Sequence, residues 1–242
     1  MKLTIVIPTK NEEVLLPRLL QSIRAQEFGD YEIVVADANS TDKTRAIAEA
    51  HGARVVDGGM PGPGRNRGAE AAQGEILFFM DSDVVLPEPT FLKDIVSEFE
   101  SVSAGVATLA LKPMTDNVFD KFGHEFYNVY LKALESIRPH AVGTCIMARK
   151  DVHEAIGGFG EDVVFAEDME YVQRAHEKGH LFKVMRSHPM LVSVRRLEKD
   201  GRLNVAAKYI YGEWHMITKG PFKRLPFEYK FAHFDEGDKP AE

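Results

Sequence analysis

The alternation of short apolar runs with helix-like segments over residues 3–100 is the feature that most constrains the fold. Leu3–Ile7, Tyr31–Ala36 and Ala53–Val56 have the apolar, β-branched character of strands, and a helical pattern follows each of them. Glu75–Met80 is the fourth such run. Its residues are apolar on both faces, which is typical of a strand in the middle of a parallel sheet covered by helices. Four strand–helix repeats of this kind predict a doubly wound α/β layer.

Beyond residue 100 the elements are longer. The predicted strands are Gly105–Leu111, Val142–Ala148 and Leu181–Arg186, and the predicted helices are 117–137, Asp168–Lys178 and 203–218. The chain has no internal repeat and no clean linker. We therefore expect a single continuous domain over 1–200, in which 1–100 holds one ligand and 101–200 a second, followed by a helical extension at 201–242.

Composition restricts the function classes. Cys145 is the single cysteine, which excludes a disulfide framework and a multi-cysteine metal site and suits a reducing cytoplasm. A net charge of −7 argues against nucleic acid as a partner. The first apolar run meets Pro8 too early for a secretion signal, and no stretch approaches the ~20 apolar residues of a spanning helix. We expect a cytoplasmic protein, either soluble or peripheral at the inner face of the cell membrane.

Polar, acidic and glycine-rich residues follow each of the first four strands. In an open parallel sheet, ligands bind beyond the carboxyl ends of the strands, so these residues should line one pocket. The residues in question are Pro8, Thr9, Glu12 and Glu13 after the first strand, Asp37, Asn39 and Ser40 after the second, Gly58–Gly68 after the third, and Asp81, Ser82 and Asp83 after the fourth.

Among these residues, Asp81 and Asp83 indicate a specific kind of chemistry most clearly. Carboxylates two positions apart in an extended chain can point to the same side, and Mg²⁺ or Mn²⁺ prefers oxygen ligands. A cation held there can neutralise the charge of a departing diphosphate. The structural alternative is a helix cap, because Pro87 and Glu88 open another helix soon afterwards. The position directly after a fully apolar strand favours binding of a metal and a nucleotide.

Arg65 and Asp37 each have two interpretations. The segment Gly58–Gly68 lacks the spacing of a dinucleotide fingerprint and is predicted to be a glycine-rich loop that leads into a small-residue helix over Asn66–Gln73. In it, Arg65 either donates paired hydrogen bonds to phosphate oxygens or is simply solvated. Asp37 either accepts a hydrogen bond from a nucleobase N–H or closes an Asx-type turn.

Asp168 lies at the predicted start of a helix. A carboxylate at this position is usually a cap favoured by the helix dipole. The functional alternative is a general base that removes the proton from an attacking hydroxyl. Residue chemistry alone leans towards the cap.

Together these residues resemble the nucleotide-sugar glycosyltransferases of the GT-A fold, specifically the inverting family 2, over roughly residues 2–200. The motifs that carry the resemblance are Val6–Glu13, Val35–Asp42, Arg65-Asn66-Arg67-Gly68, Asp81-Ser82-Asp83, and Gly157-Gly158-Phe159 with Glu167-Asp168. The resemblance implies a GT-A (Rossmann-like), mostly parallel central sheet flanked by helices. It also makes 1–100 the nucleotide-binding half and 101–200 the acceptor-binding half.

The resemblance also assigns roles to single residues. Asp83 would hold a divalent cation, Mn²⁺ or Mg²⁺, Asp81 would face the ribose or the metal, and Asp168 would be the catalytic base. The base and ribose pocket would be lined by Pro8, Thr9, Glu12 and Asp37. The nucleotide sugar would further contact Arg65 and Ser82, and its diphosphate Ser193, Arg195 and Arg196.

The implied function is metal-dependent, inverting transfer of a sugar from a nucleoside-diphosphate sugar to a hydroxyl of a glycan or lipid-linked acceptor. The chain lacks the Gln-x-x-Arg-Trp motif of processive synthases, which favours a single transfer. Three alternatives remain: a polyprenyl-phosphate sugar synthase with a phosphate acceptor, a sugar-phosphate nucleotidyltransferase, and a non-catalytic nucleotide- or carbohydrate-binding module.

Residues 203–231 are left unexplained by these motifs. The segment is rich in aromatic residues and holds five Lys and Arg against two Glu. One interpretation is a final helix and tail packed over the sheet edge. The other is a peripheral contact with an anionic membrane surface, to which aromatic and basic residues both bind.

Overall fold

The predicted parallel layer forms around β1. The computed structural model describes residues 1–59 and 61–224, and in it β2 and β4 pair with β1 on its two sides, both in parallel, while β3 pairs in parallel with β2. The strands within these residues are β1 (Leu3–Thr9), β2 (Tyr31–Asp37), β3 (Arg54–Asp57), β4 (Ile76–Met80), β5 (Val84–Val85), β6 (Val106–Pro113), β7 (Cys145–Arg149) and β8 (Phe182–Val192).

All the described strands join one mixed, mostly parallel sheet in the order β3-β2-β1-β4-β7-β6-β8-β5. β7 lies antiparallel between β4 and β6, and β6 pairs in parallel with β8. The apolar run of β4 is therefore central and completely buried, as its two apolar faces predict. Strands β3, β2, β1 and β4 of the first predicted half are adjacent in this sheet and β7, β6 and β8 of the second follow, but β5 of the first half pairs with β8. Residue 100 falls inside α4.

Helices cover both faces of the sheet. Within the described residues they are α1 (Leu16–Arg24), α2 (Thr44–Ala50), α3 (Gly62–Ala71), α4 (Phe91–Ser101), α5 (Val118–Leu134), α6 (Lys150–Ile156), α7 (Glu167–Glu177), α8 (Arg195–Lys199) and α9 (Arg202–Lys219). One core cluster joins α1 and α4 to the sheet, and another joins α3, α6 and α7 to its opposite face.

The helix after β3 begins at Gly62, four residues earlier than the predicted Asn66, and so includes part of the predicted loop. Residues 62–68 form the first turns of α3, with Pro63 at the helix start, where its missing N–H costs nothing. A side chain at Gly68 would collide with Val6, so glycine lets α3 lie directly against β1. The low helix propensity of glycine is outweighed here by close helix–strand packing.

The predicted extension is helical, as α9 shows, and begins just after α8. None of the helices in residues 1–59 and 61–224 combines the length and the apolar character needed to cross a bilayer. Phe227, Glu228, Tyr229, Lys230 and Phe231 of the predicted aromatic and basic tail lie outside the described residues.

Candidate active site

The carboxyl ends of β1, β2 and β4 meet at one edge of the sheet, because these strands are adjacent and parallel. Pro8 and Thr9 end β1, and Pro8 is partly buried. β7 runs in the opposite direction, so the chain entering it at Gly143 reaches the same edge. The end of β8 joins them, since the Ser193 N–H donates to the Asp83 carbonyl oxygen at 3.2 Å.

Asp37 ends β2 with a carboxylate that already accepts four hydrogen bonds. Oδ1 accepts from the Thr9 hydroxyl at 3.2 Å and the Ser40 hydroxyl at 2.5 Å. Oδ2 accepts from the Ser40 N–H at 2.9 Å and from Arg45 Nη1 at 3.3 Å. Burial opposes ionisation, but these hydrogen bonds outweigh it and lower the pKa of Asp37. The structure thus shows the turn, and a nucleobase N–H can bind Asp37 only by displacing a donor.

Glu12 is a buried carboxylate without a full set of hydrogen bonds. Burial raises the pKa of Glu12 to about 7, with Asp83 adding to the rise and Arg195 opposing it. The neighbouring Ser82 hydroxyl favours the ionised form and lowers the pKa of Glu12, whereas Glu12 Oε2 has no hydrogen-bond partner among the described residues. An acceptor oxygen enclosed in this way is suited to a hydroxyl or N–H donor of a ligand.

Asp83 and Asp81 form a pair of like charges beyond β4. Burial raises the pKa of Asp83 to about 6, and the Asp81 carboxylate adds to this rise, while Arg195 and Arg196 oppose it. The Asp81 side chain remains 35% exposed. The two arginines are placed in α8, directly after β8, where the sequence predicts a diphosphate contact.

A divalent cation fits this pair of carboxylates. Mg²⁺ is commonly held by one or two protein carboxylates, with phosphate oxygens and waters as its other ligands. Within residues 1–59 and 61–224 no group of three or more His, Cys, Asp or Glu side chains could hold a metal ion. Asp81 and Asp83 would therefore bind the cation together with a diphosphate, and the cation would offset both the burial of the Asp83 carboxylate and its repulsion by Asp81, which together raise the pKa of Asp83.

Arg65 connects the two acidic parts of the site. It is only 2% exposed. Nη1 donates to Glu167 Oε1 at 2.8 Å, and Nη2 donates to Asp81 Oδ1 and to the Gly143 carbonyl oxygen, each at 3.0 Å. The guanidinium carbon also lies 5.3 Å from the centre of the Phe159 ring. The predicted contact of Arg65 with the diphosphate stays a prediction.

Asp168 is not the cap of α7. The helix begins at Glu167 after Ala166, which has a left-handed φ of 57° and makes no side-chain capping bond. Asp168 Oδ2 accepts from the Gly143 N–H at 2.8 Å, and Oδ1 accepts from the Met169 N–H at 2.8 Å. Burial and the neighbouring Glu167 raise the pKa of Asp168 to about 6, although Arg65 opposes them. A carboxylate with this pKa can accept a proton near neutral pH.

The Gly157-Gly158-Phe159 motif places an aromatic ring next to Arg65. Gly157 and Gly158 have φ values of 86° and 69°, and a side chain at Gly158 would collide with Asn66. The Asn66 amide accepts from the Phe159 N–H at 2.8 Å and donates to the Phe159 carbonyl oxygen at 2.9 Å. Phe159 stacks on Tyr171 at 4.1 Å between ring centres. These contacts fix the ring beneath Arg65.

Three parts of the site have no role in the sequence analysis. Glu167 and Gly143 complete the contacts of Arg65 and Asp168, and Tyr127 of α5 lies near enough for the Asp168 charge to influence it. Burial and the Asp168 carboxylate raise the pKa of Tyr127 well above its usual value. The pairing of Glu167 with Arg65 spans 102 positions, and no local pattern reveals such a contact.

The chain is similar to known proteins in family, sequence and fold. The model of the family described as Glycosyl transferase family 2 matches residues 4–157. The poly(ribitol-phosphate) β-N-acetylglucosaminyltransferase TarS of Staphylococcus aureus is 24% identical over 212 residues, which are 81% of this chain and 36% of TarS. The GalNAc(5)-diNAcBac-PP-undecaprenol β-1,3-glucosyltransferase of Campylobacter jejuni is 33% identical over 93 residues, which are 34% of this chain and 29% of that protein.

Solved structures show the same fold. The structure of TarS residues 1–349 in complex with UDP-GlcNAc has a TM-score of 0.66 and 22% identity, and the match covers 80% of this chain and 58% of that one. The mannosyltransferase PcManGT from Pyrobaculum calidifontis, in complex with GDP-Man and Mn²⁺, has a TM-score of 0.68 and 22% identity over 87% of this chain and 64% of its own. The chain therefore spans about a third of the curated relatives and under two thirds of these structures.

Proposed function

The chain belongs to glycosyl transferase family 2, and on that premise we propose that it transfers a sugar from a nucleoside-diphosphate sugar to an acceptor hydroxyl, with inversion and one sugar per encounter. The observation that carries this proposal is the position of Arg65. Arg65 forms ion pairs with both Asp81 and Glu167. Asp81 belongs to the acidic pair that is suited to a metal ion and a diphosphate. Glu167 is next to Asp168, whose raised pKa is suited to a general base.

The donor would lie along the carboxyl edge of the sheet. Glu12 Oε2 would accept a hydrogen bond from a ribose hydroxyl. Asp37 would accept one from the nucleobase after it releases its partly exposed donor Arg45. Pro8, Thr9 and Ser82 would line the same pocket. Arg195 and Arg196 would contact the diphosphate from α8.

The cation would be held by Asp81 and Asp83, and when bound it supplies positive charge to the departing diphosphate. Arg65 would act as a positioning residue in this arrangement. Arg65 contacts Asp81 of the metal-binding pair and, at the same time, Glu167, which is the neighbour of Asp168 in sequence. It therefore fixes the distance between the metal-binding carboxylates and the catalytic base Asp168.

Asp168 would take the proton of the acceptor hydroxyl as its oxygen attacks the anomeric carbon. The new bond forms on the face opposite the diphosphate, the bond from the anomeric carbon to the diphosphate oxygen breaks, and the configuration inverts. Gly143 N–H and Met169 N–H orient the carboxylate by their hydrogen bonds to it. A phosphate acceptor is already ionised and needs no such base, so the pKa of Asp168 favours a hydroxyl.

The comparisons support the donor class and the metal. TarS is described in complex with UDP-GlcNAc and PcManGT in complex with GDP-Man and Mn²⁺. The name of the Campylobacter jejuni relative specifies an undecaprenol-linked acceptor. Family membership favours sugar transfer over the nucleotidyltransferase alternative, whereas a non-catalytic module is distinguished only by testing Asp168.

Metal-dependent donor binding tests the proposal directly. Titration calorimetry with UDP and with GDP should show that Mn²⁺ increases the affinity for at least one of them. Asp83→Ala removes one oxygen ligand and leaves the diphosphate charge uncompensated, so this variant should lose most of the gain from Mn²⁺.

The exposed Asp116 provides the matched control, since it forms an ion pair with Lys121 on the surface. Asp116→Ala should keep the wild-type gain from Mn²⁺. An equal gain in Asp83→Ala would contradict the metal assignment, and the absence of binding to either nucleotide with or without Mn²⁺ would contradict the proposed function.

The pH dependence of turnover should report the ionisation of Asp168. At saturating donor and metal, kcat should fall below about pH 6, because a protonated Asp168 cannot accept the hydroxyl proton. Glu12 and Asp83 titrate in a similar range, so the comparison is made with the residual activity of Asp168→Asn. If Asp168→Asn shows the same fall of kcat at low pH, that fall would be assigned to Glu12 or Asp83 in the donor pocket instead of Asp168.

A further inference from the structure

Helix α5 has an apolar stripe that the core does not use. Phe119, Phe122, Phe126 and Val129 recur at helical spacing and are 82%, 73%, 68% and 57% exposed. On the opposite side of the helix, Asp120, Asn128 and Leu131 are buried. Three exposed phenylalanines in one row form a large apolar patch, and patches of this kind mark interaction sites.

Helix α9 has a second stripe of the same kind. Leu203, Ile210, Trp214 and Ile217 also recur at helical spacing, and all four are exposed. The buried side of α9 is formed by Val205, Gly212 and Met216, which face the rest of the chain.

An ion pair joins the first turns of the two helices, and others join the middle of α9 to the chain just after α5, so the helices run in the same direction. Near their first turns, Arg202 donates to both oxygens of Asp120 at 2.7 Å. Further along, Glu213 pairs with Arg138 at 3.2 Å and with His140 at 2.9 Å. At 100° per residue, each stripe lies on the outer side of this seam, and the core-facing residues lie on its inner side. The two stripes therefore form one continuous surface, which we name the α5–α9 surface.

Positive charge borders the α5–α9 surface along α9. Residues 202–224 contain five Lys and Arg against one Glu, in a chain whose net charge is −7. Lys219 Nζ lies 5.4 Å from the centre of the Trp214 ring. Beyond α5, a cavity of about 520 Å³ is lined by Lys112, Lys121, Lys132 and Arg186 together with Glu125. Two of these cations are ion-paired, Lys121 with Asp116 and Arg186 with Glu135.

The inner side of the same helices reaches the candidate active site. Tyr127 of α5 is close enough to Asp168 for the carboxylate to influence its ionisation. Gly212 of α9 packs on the ring of Phe165, three positions before Asp168. A molecule that contacts the outer surface is therefore separated from the base by little more than the thickness of these helices.

We propose that the α5–α9 surface lies on an anionic lipid bilayer, with the apolar stripes in the boundary between headgroups and acyl chains and the basic rim on the lipid phosphates. Two parallel amphipathic faces with basic borders are typical of helices that lie in an interface rather than span it. A second copy docked face to face would bring like charges together, whereas anionic lipid neutralises them. Where the proposed function holds, the acceptor hydroxyl would be lipid-linked and would reach Asp168 from the interface.

Vesicle sedimentation tests this proposal without any requirement for sugar transfer. The protein should sediment with vesicles of phosphatidylcholine mixed with phosphatidylglycerol, less with phosphatidylcholine alone, and less at high salt. Trp214 is the single tryptophan of the chain, so its emission should shift to shorter wavelength on binding. Phe122→Ser with Phe126→Ser should weaken partitioning by about tenfold or more, because two large apolar contacts are lost.

The exposed Leu181, outside both helices, is the matched control, and Leu181→Ser should partition like the wild type. Circular dichroism and nucleotide affinity should be unchanged in all variants, since the altered side chains are exposed. Vesicle binding that is absent, or unaffected by the double substitution, would overturn the proposal. A lipid-free dimer that the double substitution dissociates would assign the surface to a second copy instead. Nucleotide binding without vesicle binding overturns only this inference, and vesicle binding without nucleotide binding overturns only the proposed function.

Discussion

Asp168→Asn should lower the rate of sugar transfer by about 10²–10⁴-fold, the usual contribution of a positioned general base. The asparagine amide oxygen can still accept the hydrogen bonds that Gly143 and Met169 donate to the carboxylate, but it cannot accept a proton. Affinity for the nucleoside diphosphate should stay at the wild-type value, because the hydrogen bonds of Asp168 among the described residues join it to the Gly143 and Met169 N–H groups and not to Asp81 or Asp83. Single-turnover kinetics and calorimetry measure the two quantities separately.

Asp151 provides a closely matched control for this substitution. It lies in the first turn of α6 and accepts a hydrogen bond from the N–H of the next residue at 2.8 Å, as Asp168 does. Asp151→Asn should leave the transfer rate unchanged. Wild-type transfer by Asp168→Asn would contradict the role of base and would favour a phosphate acceptor or a non-catalytic module.

Sequence patterns predict an element well when the apolar character of its residues determines what the element packs against. A run such as Ile76–Met80 is apolar on both faces, so it can only be a central strand, and β4 is central and buried. The start of α3 was not predictable in the same way. Its glycines are poor helix formers, and only the contact of Gly68 with Val6 shows why they are needed. Helix α6 and the two-residue strand β5 were also missed, because both are short.

The residues of the candidate site likewise fall into those that sequence patterns predict and those that they do not. The edge at which Asp37, Asp81 and Asp83 meet follows from strand direction alone. The ion pair of Arg65 with Glu167 does not, because it joins residues 102 positions apart. The stripe of Phe119, Phe122 and Phe126 illustrates a further limit, since helical periodicity is the same for a core-facing row and an exposed one. Only the packing of α5 distinguishes them.

Arg65→Met should lower the free energy of unfolding by about 3–5 kcal/mol, because it leaves buried carboxylate charge without a partner. Glu167 and Asp81 would both lose their ion pair with the guanidinium, and the Glu167 side chain is only 10% exposed. Methionine fills much of the same volume, so the effect reports charge rather than a cavity. Urea denaturation followed by circular dichroism measures the change.

The neighbouring Arg67 separates this effect from a general loss of positive charge on α3. Its ion pair with Glu70 is exposed, and such pairs contribute about 0–1 kcal/mol, so Arg67→Met should change the free energy of unfolding only slightly. Arg65 also opposes the rise in the pKa of Asp168. In folded Arg65→Met the acid limb of kcat should therefore move to higher pH, a shift that a purely structural role for Arg65 does not produce. Equal losses of stability in the two variants, with the acid limb unmoved, would show that Arg65 does not link the donor carboxylates to the base.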